Sequence, residues 1–348
     1  MKKTLVGAAA LVLVVIAAGC GGSGNKNGSA NNGTTTSSSG KTSKVKVGLV
    51  TDVGGLNDRG FNHLAYVGVQ RAKAQLGTDY RVNLSQSSGE YVPNLTAFAR
   101  GGYGIIIGVG FTEANAIDTV ANLFKDRKFA IVDVDQTTEP HKPPNLLGLL
   151  FREQEVGYLA GYLAGLEEKR RPGPDVVGSV GGQKQPPVDR FIAGFQAGAK
   201  AADPGIKTLN GYSQDFVKQD LCKNIALNQI AAGAGVVFQV AGGCGLGVIK
   251  AAAQKNVWAI GVDADQAYID PKHVLTSAKK NVDVAVYKAI QSVINGTFKG
   301  GNVVYGLKDN GVALGTINPR VPKSEIAQVD KIRQQIIAGK INIPTTVK

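Results

Sequence analysis

Short β-rich runs alternate with amphipathic stretches along most of this chain, and this alternation restricts the fold more than any other feature. The first β-rich runs are residues 46–52, 80–85, 104–108, 129–133 and 146–151. The stretches at residues 61–76 and 113–125 have the period of helices that bury one face. Strands joined through helices run in the same direction, so the first part of the chain is predicted to form one parallel α/β sheet.

A second series of the same kind follows a long helical pattern at residues 155–169, which carries small residues on one face. Its β-rich runs are residues 175–181, 206–212, 235–240, 257–262 and 273–277. About 300 residues lie beyond the N-terminal segments, enough for one large domain or two of ordinary size. We therefore predict an α/β fold of two lobes, each a parallel sheet flanked by helices.

One piece of the repeat is visible in the residues themselves. AIVDVDQ at residues 130–136 resembles AIGVDADQ at residues 259–266, and each places two carboxylates just past the fourth strand of its half. Open parallel sheets bind ligands outside the carboxyl ends of their strands, so the two loops are predicted to face each other across a cleft. Chance similarity of two short strands is the alternative. A metal site is disfavoured, since hard cations take about six or more oxygen ligands and no further acidic cluster follows either loop.

The N-terminus predicts export. Lys2 and Lys3 precede an apolar run over residues 5–18, which is followed at once by polar residues. The run is shorter than the roughly 20 residues of a membrane span, and it ends in small residues. We therefore predict a signal peptide at residues 1–19.

AAGC at residues 17–20 resembles a bacterial lipobox, whose cysteine takes a diacylglycerol and begins the mature protein. Ala17 stands where leucine is usual, so a simple secreted protein is the alternative. Residues 21–42 are almost wholly Gly, Ser, Asn, Thr and Lys, a composition that cannot bury enough apolar area to fold. The protein is thus predicted to be anchored in the cell membrane by lipid on Cys20, with a flexible tether over residues 20–43.

The chain is basic, with 39 lysines and arginines against 26 acidic residues and a formal net charge of +13. These basic residues are spread along the chain, and the one compact cluster, residues 169–171, precedes Pro172. No basic stripe is interleaved with aromatic residues, so nucleic acid is not predicted as a partner. Attraction to an anionic envelope surface is the simpler explanation of the charge.

The cysteines predict one disulfide. Assigning Cys20 to the lipid leaves Cys222 and Cys244 as an even pair in an oxidising compartment. Two separate buried thiols are the alternative. None of the 3 histidines has metal-ligand spacing around it, and we predict neither a metal nor another cofactor.

A series of motifs covers the chain from about residue 45 to residue 320. TDVGGLNDRGFN at residues 51–62 follows the first strand, and Phe151-Arg152 with YLAG at residues 158–161 lies where the halves join. The later motifs are Gly181-Gly182, Arg190-Phe191, Gly194-Phe195, FQVAGG at 238–243, Val262-Asp263, Asp265-Gln266, Thr276-Ser277, Lys280 and Val282-Asp283. In this order they resemble the basic membrane protein family of ABC-transporter substrate-binding lipoproteins, whose best understood members bind purine nucleosides.

The resemblance implies the type I periplasmic-binding-protein fold, which closes by a hinge around its ligand and is then recognised by an ABC permease. The sequence leaves the oligomeric state open, and a monomer is the default expectation. The N-terminal lobe would be residues 44–154 and the C-terminal lobe residues 155–280, each completed by part of residues 283–348. The lobes would be joined by crossovers near residues 151–155, near residues 277–283 and beyond Asn302.

Three residues of the first motif are predicted to bind the ligand. Asp52 ends its strand, and Phe61 and Asn62 lie in the first turn of the next helix. An aromatic ring stacks on a base with about 1 to 3 kcal/mol, and an asparagine can meet a purine edge with one donor and one acceptor. Phe61 as a core residue of its helix is the alternative, and the resemblance favours stacking.

Carboxylates suit a ribose. An ionised aspartate accepts hydrogen bonds from two vicinal hydroxyls, and a lysine donates to the ligand while balancing the buried charge. We predict that Asp263 and Lys280 bind the sugar. By resemblance, Asp135, or else Asp133, binds the base edge; alternation along a strand turns one of the two outward without indicating which.

GGCGLG at residues 242–247 follows a strand and opens a helix, as a dinucleotide-binding loop would. Val248 stands where the third glycine of that motif belongs. We therefore predict that Gly242 and Gly243 let backbone N–H groups approach the ligand, and that a disulfide through Cys244 stiffens their loop.

The resembled family carries a second stacking phenylalanine after the second strand of the second lobe. Here that segment is YSQDF at residues 212–216, so Tyr212 or Phe216 is expected to replace it. If neither ring reaches the ligand, a sugar or another small hydroxylated molecule becomes the expected ligand.

Three functions follow, in decreasing order of support. The first is a purine-nucleoside-binding component of an ABC importer, and the second is a binding protein for another small solute in uptake or sensing. The third is an exported enzyme, which is not predicted because the chain has no G-x-S-x-G, H-E-x-x-H or Cys–His arrangement. Paired carboxylates could in principle act as acid and base.

Overall fold

The computed structural model describes residues 43–347. The predicted signal peptide at residues 1–19, the predicted lipidation site Cys20 and almost all of the predicted tether at residues 20–43 therefore lie outside the described residues. None of the helices between residues 43 and 347 has the length and apolar character needed to span a bilayer.

Strands and helices alternate through the described residues. The strands are β1 (Lys46–Thr51), β2 (Asp79–Leu84), β3 (Ile105–Val109), β4 (Lys128–Val132), β5 (Leu146–Phe151), β6 (Val176–Gly181), β7 (Lys207–Tyr212), β8 (Val236–Val240), β9 (Trp258–Asp263), β10 (Val274–Lys280), β11 (Gly301–Tyr305) and β12 (Val312–Leu314). The α-helices are α1 (Phe61–Leu76), α2 (Tyr91–Arg100), α3 (Ala114–Leu123), α4 (Glu153–Arg170), α5 (Pro186–Ala202), α6 (Gln219–Ala231), α7 (Leu246–Lys255), α8 (Val282–Ile294) and α9 (Lys323–Ile337).

These strands form two 6-stranded sheets with the same internal order. The first sheet has the order β11-β5-β4-β3-β1-β2, and all its neighbours are parallel. The second has the order β12-β10-β9-β8-β6-β7 and is parallel except where β12 pairs with β10. The order of the first half recurs in the second, and the predicted α/β fold of two lobes with parallel sheets is confirmed.

The chain between residues 43 and 347 passes three times from one sheet to the other. It does so at Arg152 between β5 and α4, at Asn281 between β10 and α8, and over residues 306–311 between β11 and β12. Helix α8 packs against α1, and α9 packs against α4. Residues 282–305 therefore complete the first lobe, and residues 312–337 complete the second.

Central strands such as β1 and β3 are apolar runs because helices cover both faces of each sheet. Every residue of β3, with the sequence IIIGV, is buried, and β1 exposes only its first residue. A strand buried on both faces has no solvent side on which polar residues could alternate. Polar side chains are consequently concentrated where strands end, and that is where a ligand site can form.

Helices α4 and α5 pack closely because glycines recur at every fourth position of α4. Gly157, Gly161 and Gly165 lie on one face, and a side chain at any of them would meet the backbone of α5. At Gly165 an added Cβ would lie 2.8 Å from the carbonyl oxygen of Ala199. This glycine stripe holds α4 within the second lobe directly after the first crossover.

Candidate ligand-binding cleft

A cavity lies between the carboxyl ends of the strands of the two sheets. Open parallel sheets bind their ligands at this position. The residues predicted to bind ligand that line it are Asp52, Phe61, Asn62, Gly242, Gly243, Asp263 and Lys280. Asp135 and Tyr212 are not among its lining residues. The fold thus brings most of the predicted site residues of both lobes into one cleft.

Asp52 orients Asn62 at one side of the cavity. The Asp52 carboxylate accepts hydrogen bonds from Asn62 Nδ2 at 2.6 Å and from the backbone N–H of Gly54 at 2.8 Å. Burial raises the pKa of Asp52 to about 6, against the opposing effect of these hydrogen bonds. Asn62 Oδ1 is buried and has no hydrogen-bond partner among the described residues. Asn62 can therefore accept a hydrogen bond from a ligand.

Asp58, which was not predicted as a site residue, also lines the cavity and caps helix α1. Its carboxylate accepts hydrogen bonds from the backbone N–H groups of Gly60, Asn62 and His63. Burial raises the pKa of Asp58, and these hydrogen bonds oppose the increase. The cap fixes the first turn of α1, which carries Phe61 and Asn62. An aspartate just before a helix start was the available sequence signal.

The Lys280 ammonium lies among three carboxylates. Its Nζ is 2.6 Å from Asp133 Oδ2, 3.7 Å from Glu153 Oε1 and 3.8 Å from Asp263 Oδ1, and its side chain is 3 % exposed. Burial alone lowers the pKa of Lys280, but attraction to these carboxylates outweighs burial and raises the pKa above its ordinary value. Among residues 43–347 no cluster of side chains could hold a metal ion. Lys280 supplies the positive charge beside the aspartates.

Two carboxylate oxygens near Lys280 are available to a ligand. Asp133 Oδ1 and Asp263 Oδ1 are buried and have no hydrogen-bond partner within the described part of the chain. Burial raises the pKa of Asp263 to about 7, with Lys280 opposing the shift and nearby carboxylates adding to it. A buried acceptor without a partner costs about 1 to 3 kcal/mol. A ligand that donates two hydrogens here, as vicinal hydroxyls do, would recover that free energy.

The first aspartate of each DxD pair enters the cavity through the same backbone conformation. Asp133 has a φ of 65° and Asp263 a φ of 61°, in the left-handed region that residues other than glycine seldom adopt. The two residues directly follow β4 and end β9, which are equivalent strands of the two sheets. The internal repeat therefore extends to the site, where it places one carboxylate from each lobe beside Lys280.

Asp135 lies outside the cavity, whereas the alternative, Asp133, lines it. The Asp135 carboxylate accepts hydrogen bonds from the Thr137 backbone at 2.9 Å and from Asn302 Nδ2 at 2.6 Å. Burial raises the pKa of Asp135, but these hydrogen bonds outweigh burial and the pKa falls below its ordinary value. Asp135 thus ties its loop to β11, while Asp133 and Asp263 line the cavity beside Lys280.

Tyr212 also lies outside the cavity, and Phe216 lines it instead. The Tyr212 hydroxyl donates a hydrogen bond of 2.5 Å to Asp189 Oδ1, which holds the ring away from the cleft. The Phe216 ring meets the Phe111 ring of the first lobe edge to face, with ring centroids 5.9 Å apart. Of the two rings considered for the second stacking position, the structure brings Phe216 to the cleft.

The loop of Gly242 and Gly243 is tied to the loop of Phe216. Gly242 has a φ of 53°, and the backbone N–H of Cys244 donates a hydrogen bond of 2.9 Å to the carbonyl oxygen of Phe216. Cys222 on α6 and Cys244 form a disulfide, with their Cα atoms 5.7 Å apart. The disulfide connects α6 to the loop of Gly242 and Gly243, and the hydrogen bond of Cys244 connects this loop to the loop of Phe216.

A model of the Bmp family, described as PnrA-like ABC transporter substrate-binding proteins, matches residues 44–347. The chain belongs to this family. The resemblance to basic membrane proteins is thereby confirmed, and this Bmp protein is the substrate-binding protein of an ABC transporter.

Named relatives match this Bmp protein over both lobes. A CD4+ T-cell-stimulating antigen of Listeria monocytogenes is 36% identical over 327 residues, which cover 87% of this chain and 89% of the relative. The ABC transporter nucleoside-binding protein BmpA of Lactococcus lactis is 34% identical over 334 residues, 88% of this chain and 92% of the relative. A lipoprotein of Pyrococcus horikoshii is 36% identical over 280 residues, 77% of this chain and 68% of the relative.

Solved structures share the architecture. A solute-binding protein of an ABC transporter system from Aeropyrum pernix has a TM-score of 0.78 and 30% identity, over 87% of this chain and 94% of its own. An arabinose-binding protein from Geobacillus stearothermophilus has a TM-score of 0.61 and 14% identity, over 83% of this chain and 99% of its own, and shows the fold alone. The type I periplasmic-binding-protein fold of the Bmp protein is confirmed. Membership of a family of ABC transporter substrate-binding proteins implies a small-molecule ligand and a membrane permease.

Sequence reasoning missed several aromatic residues of the Bmp cleft. Phe111 follows β3, and Phe191 lies on α5; both line the cavity. The Lys280 Nζ is 4.7 Å from the ring centroid of Phe61 and 5.5 Å from that of Phe191. The position of Phe111, just past a strand end, and the Arg190-Phe191 motif were the available signals. Lys280 thus has aromatic rings as well as carboxylates around it.

Proposed function

We propose that this protein binds a purine nucleoside in the cleft between its lobes and presents it to an ABC permease. The observation that carries the proposal is the pair of unpartnered aspartate oxygens beside Lys280, in a cavity that also holds aromatic rings. The ligand must therefore combine hydrogen-donating hydroxyls with a flat apolar face. A ribose joined to a base has both.

The ribose is assigned to the end of the cavity near Lys280. Its vicinal hydroxyls would donate hydrogen bonds to Asp133 Oδ1 and Asp263 Oδ1, and Lys280 would donate to the hydroxyl oxygens. Charge-assisted hydrogen bonds are stronger than neutral ones, by roughly a factor of two. This end of the site would therefore distinguish a nucleoside from a free base.

The base is assigned to the space among Phe61, Phe216 and Asn62. Stacking on an aromatic ring contributes about 1 to 3 kcal/mol for each base and tolerates any base. Selectivity would come from Asn62, whose unpartnered Oδ1 accepts a hydrogen from the base edge. The name of the Lactococcus lactis relative, a nucleoside-binding protein, supports the same ligand class.

The mature protein is proposed to be a monomer anchored by lipid on Cys20 after removal of residues 1–19. The lipobox-like sequence and the Pyrococcus relatives named as lipoproteins support this anchor. The protein is proposed to release its ligand unchanged, as a transport component rather than an enzyme. Cell fractionation tests the anchor, because Cys20→Ala should move the protein from the membrane fraction to the medium.

A second candidate ligand is another small hydroxylated solute, in uptake or in sensing. Asp133, Asp263 and Lys280 would accept a vicinal diol of any sugar, with or without a base attached. The aromatic rings of the cavity favour the nucleoside over a simple sugar, and nucleosides and sugars are therefore compared in the same experiment.

A thermal-shift screen of the chain from Lys44 onward tests the proposal, with nucleosides, free bases and simple sugars as ligands. A ligand at roughly a hundredfold excess over its Kd adds about 2.7 kcal/mol to the free energy of unfolding. A purine nucleoside should give the largest shift, and Phe61→Ala and Asp263→Ala should abolish it. Stabilisation by sugars alone would favour the second candidate, and recovery of the nucleoside as base and sugar would indicate an enzyme.

A further inference from the structure

Glu153 is a fully buried carboxylate beside the cleft but not in its lining. It is the first residue of α4, directly after the crossover at Arg152. Its Oε2 accepts a hydrogen bond of 2.6 Å from Arg190 Nε of α5. Its Oε1 is 3.7 Å from Lys280 Nζ and has no hydrogen bond among the described residues. One carboxylate therefore faces a structural arginine and the lysine of the site.

Glu153 and Lys280 flank two of the crossovers that join the lobes. Glu153 follows one crossover by a single residue, and Lys280 precedes the next crossover, at Asn281. Hinge rotation is absorbed by a few residues at the ends of such elements. The Lys280 Nζ contacts Asp133 of the first lobe at 2.6 Å, so this ion pair bridges the two lobes.

We propose that Glu153 is a positioning residue, which holds the Lys280 ammonium between Asp133 and Asp263 and thereby sets the affinity of the cleft for its ligand. This inference rests on the proposed ligand site at Lys280. A lysine side chain has four flexible bonds, so contacts with oxygens on several sides are needed to fix its ammonium group. Glu153 supplies the side that faces away from the ligand.

The charges around Glu153 explain why a neutral side chain cannot replace it. Arg190 faces it from α5, Lys280 from β10, and Asp133 and Asp263 add negative charge from the ends of β4 and β9. Burial raises the pKa of Glu153, while Lys280 and Arg190 oppose the increase. Without its charge, Lys280 would be attracted by the two aspartates alone and would move toward Asp133, its nearest partner.

The chain offers a matched control on the same helix. Glu168 is 1 % exposed, accepts a hydrogen bond of 2.9 Å from Arg171 Nη2, and also has one oxygen without a partner among the described residues. It lies fifteen positions further along α4, roughly 22 Å away along the helix axis. Glu168→Gln therefore removes the same kind of buried ion pair at a distance from Lys280.

The experiment compares Glu153→Gln and Glu168→Gln in the chain from Lys44 onward. The probe is adenosine, guanosine or inosine, whichever shifts the wild-type melting temperature most, and its Kd is measured by calorimetry from about pH 5.5 to about pH 8.5. Glu153→Gln should raise the Kd roughly tenfold or more, the effect of a weakened charge-assisted contact, while Glu168→Gln lowers stability only. The pH at which affinity changes should also rise in Glu153→Gln, because Lys280 then moves away from Asp263 toward Asp133, and Lys280 is the group that most lowers the pKa of Asp263.

An unchanged Kd in Glu153→Gln, or an equal increase in both variants, would overturn the inference and leave Glu153 as the partner of Arg190. If Glu153→Gln does not fold, Glu153→Asp keeps the charge but withdraws it from Lys280, and an unchanged Kd there has the same meaning. If the wild type binds no nucleoside, the proposed ligand fails first. The carboxyl ¹³C titration of Asp263, identified through Asp263→Asn, then decides: a higher midpoint in Glu153→Gln alone supports the inference, and an unchanged or lower one rejects it.

Discussion

Replacing Lys280 with methionine removes the only basic side chain that lines the cleft within the described residues. Methionine keeps most of the apolar stem, so the change is chiefly the loss of the charge. The carboxylates of Asp133, Asp263 and Glu153 then remain buried but lose the ammonium group that lies 2.6 to 3.8 Å from them in the wild type. Removing one partner of a buried ion pair costs about 3 to 5 kcal/mol, and we expect a loss of this size in the free energy of unfolding at about pH 8.

The loss in the free energy of unfolding of Lys280→Met should become smaller as the pH falls. In Lys280→Met the buried carboxyl groups have higher pKa values in the folded state than in the unfolded chain, so the folded state binds more protons. Stability then rises as pH falls, from the raised pKa values down to the ordinary carboxyl pKa near about 4. Asp263 already has a pKa of about 7 with Lys280 present. The difference from wild type should therefore shrink between about pH 8 and about pH 5.

Urea unfolding at both pH values measures this difference. The chain has 1 tryptophan, Trp258 on β9 of the second lobe, so its fluorescence and circular dichroism together show whether the lobes unfold as one unit. Lys279→Met is the control, because Lys279 is the half-buried neighbour on the same strand. A loss below about 1 kcal/mol at the higher pH, or one that does not change with pH, would refute the picture of a charge required by its carboxylates.

Three further results are expected. Gly161→Ala should lower the free energy of unfolding by about 1 to 3 kcal/mol or more in urea, because the new Cβ would meet the carbonyl group of Phe195; an unchanged midpoint would contradict this packing. Phe216→Ala should weaken calorimetric binding of a purine nucleoside by about 1 to 3 kcal/mol, whereas Tyr212→Phe should leave it unchanged, and the reverse order would restore Tyr212 to the site. Affinity should fall roughly tenfold per pH unit below the Asp263 pKa of about 7, since a donating hydroxyl favours ionised Asp263 and binding then releases a proton; a flat profile in calorimetry would rule out that contact.

Much of the fold follows from the period of apolar residues. Runs such as IIIGV in β3 are too short for a helix and too apolar for an exposed strand, so they indicate a parallel sheet covered on both faces. The DxDQ repeat predicts from the sequence that β4 and β9 are equivalent strands of the two sheets. The start of α4 followed less closely: the helical pattern begins at residue 155, but α4 begins at Glu153, because a period of apolar residues does not mark the first turn.

The side of a strand end that a residue faces could not be predicted in the same way. Alternation assumes extended backbone, and it fails at Asp133, where φ is 65°. The reversal sends Asp133 into the cleft and leaves Asp135 to bond with Asn302, a residue of β11 that the sequence gives no reason to associate with it. Glu153 was missed for a related reason, since an acidic residue in the first turn of a helix already has an ordinary explanation in the helix dipole.

Lys280 and Asp133, which we propose to bind the ligand, also connect the two lobes. Lys280 of the second lobe contacts Asp133 of the first at 2.6 Å, and Gln266 Nε2 donates a hydrogen bond of 3.2 Å to the carbonyl oxygen of Arg59 across the cleft. Opening the cleft would separate each of these pairs and expose Lys280 and Asp133 to water, where charges are well solvated. In the closed cleft Asp133 Oδ1 and Asp263 Oδ1 still lack a hydrogen-bond partner among the described residues, so the contacts between the lobes do not satisfy every buried group. Under the proposed function, a ligand that donates to these two oxygens would favour the closed cleft, and binding would be coupled to closure.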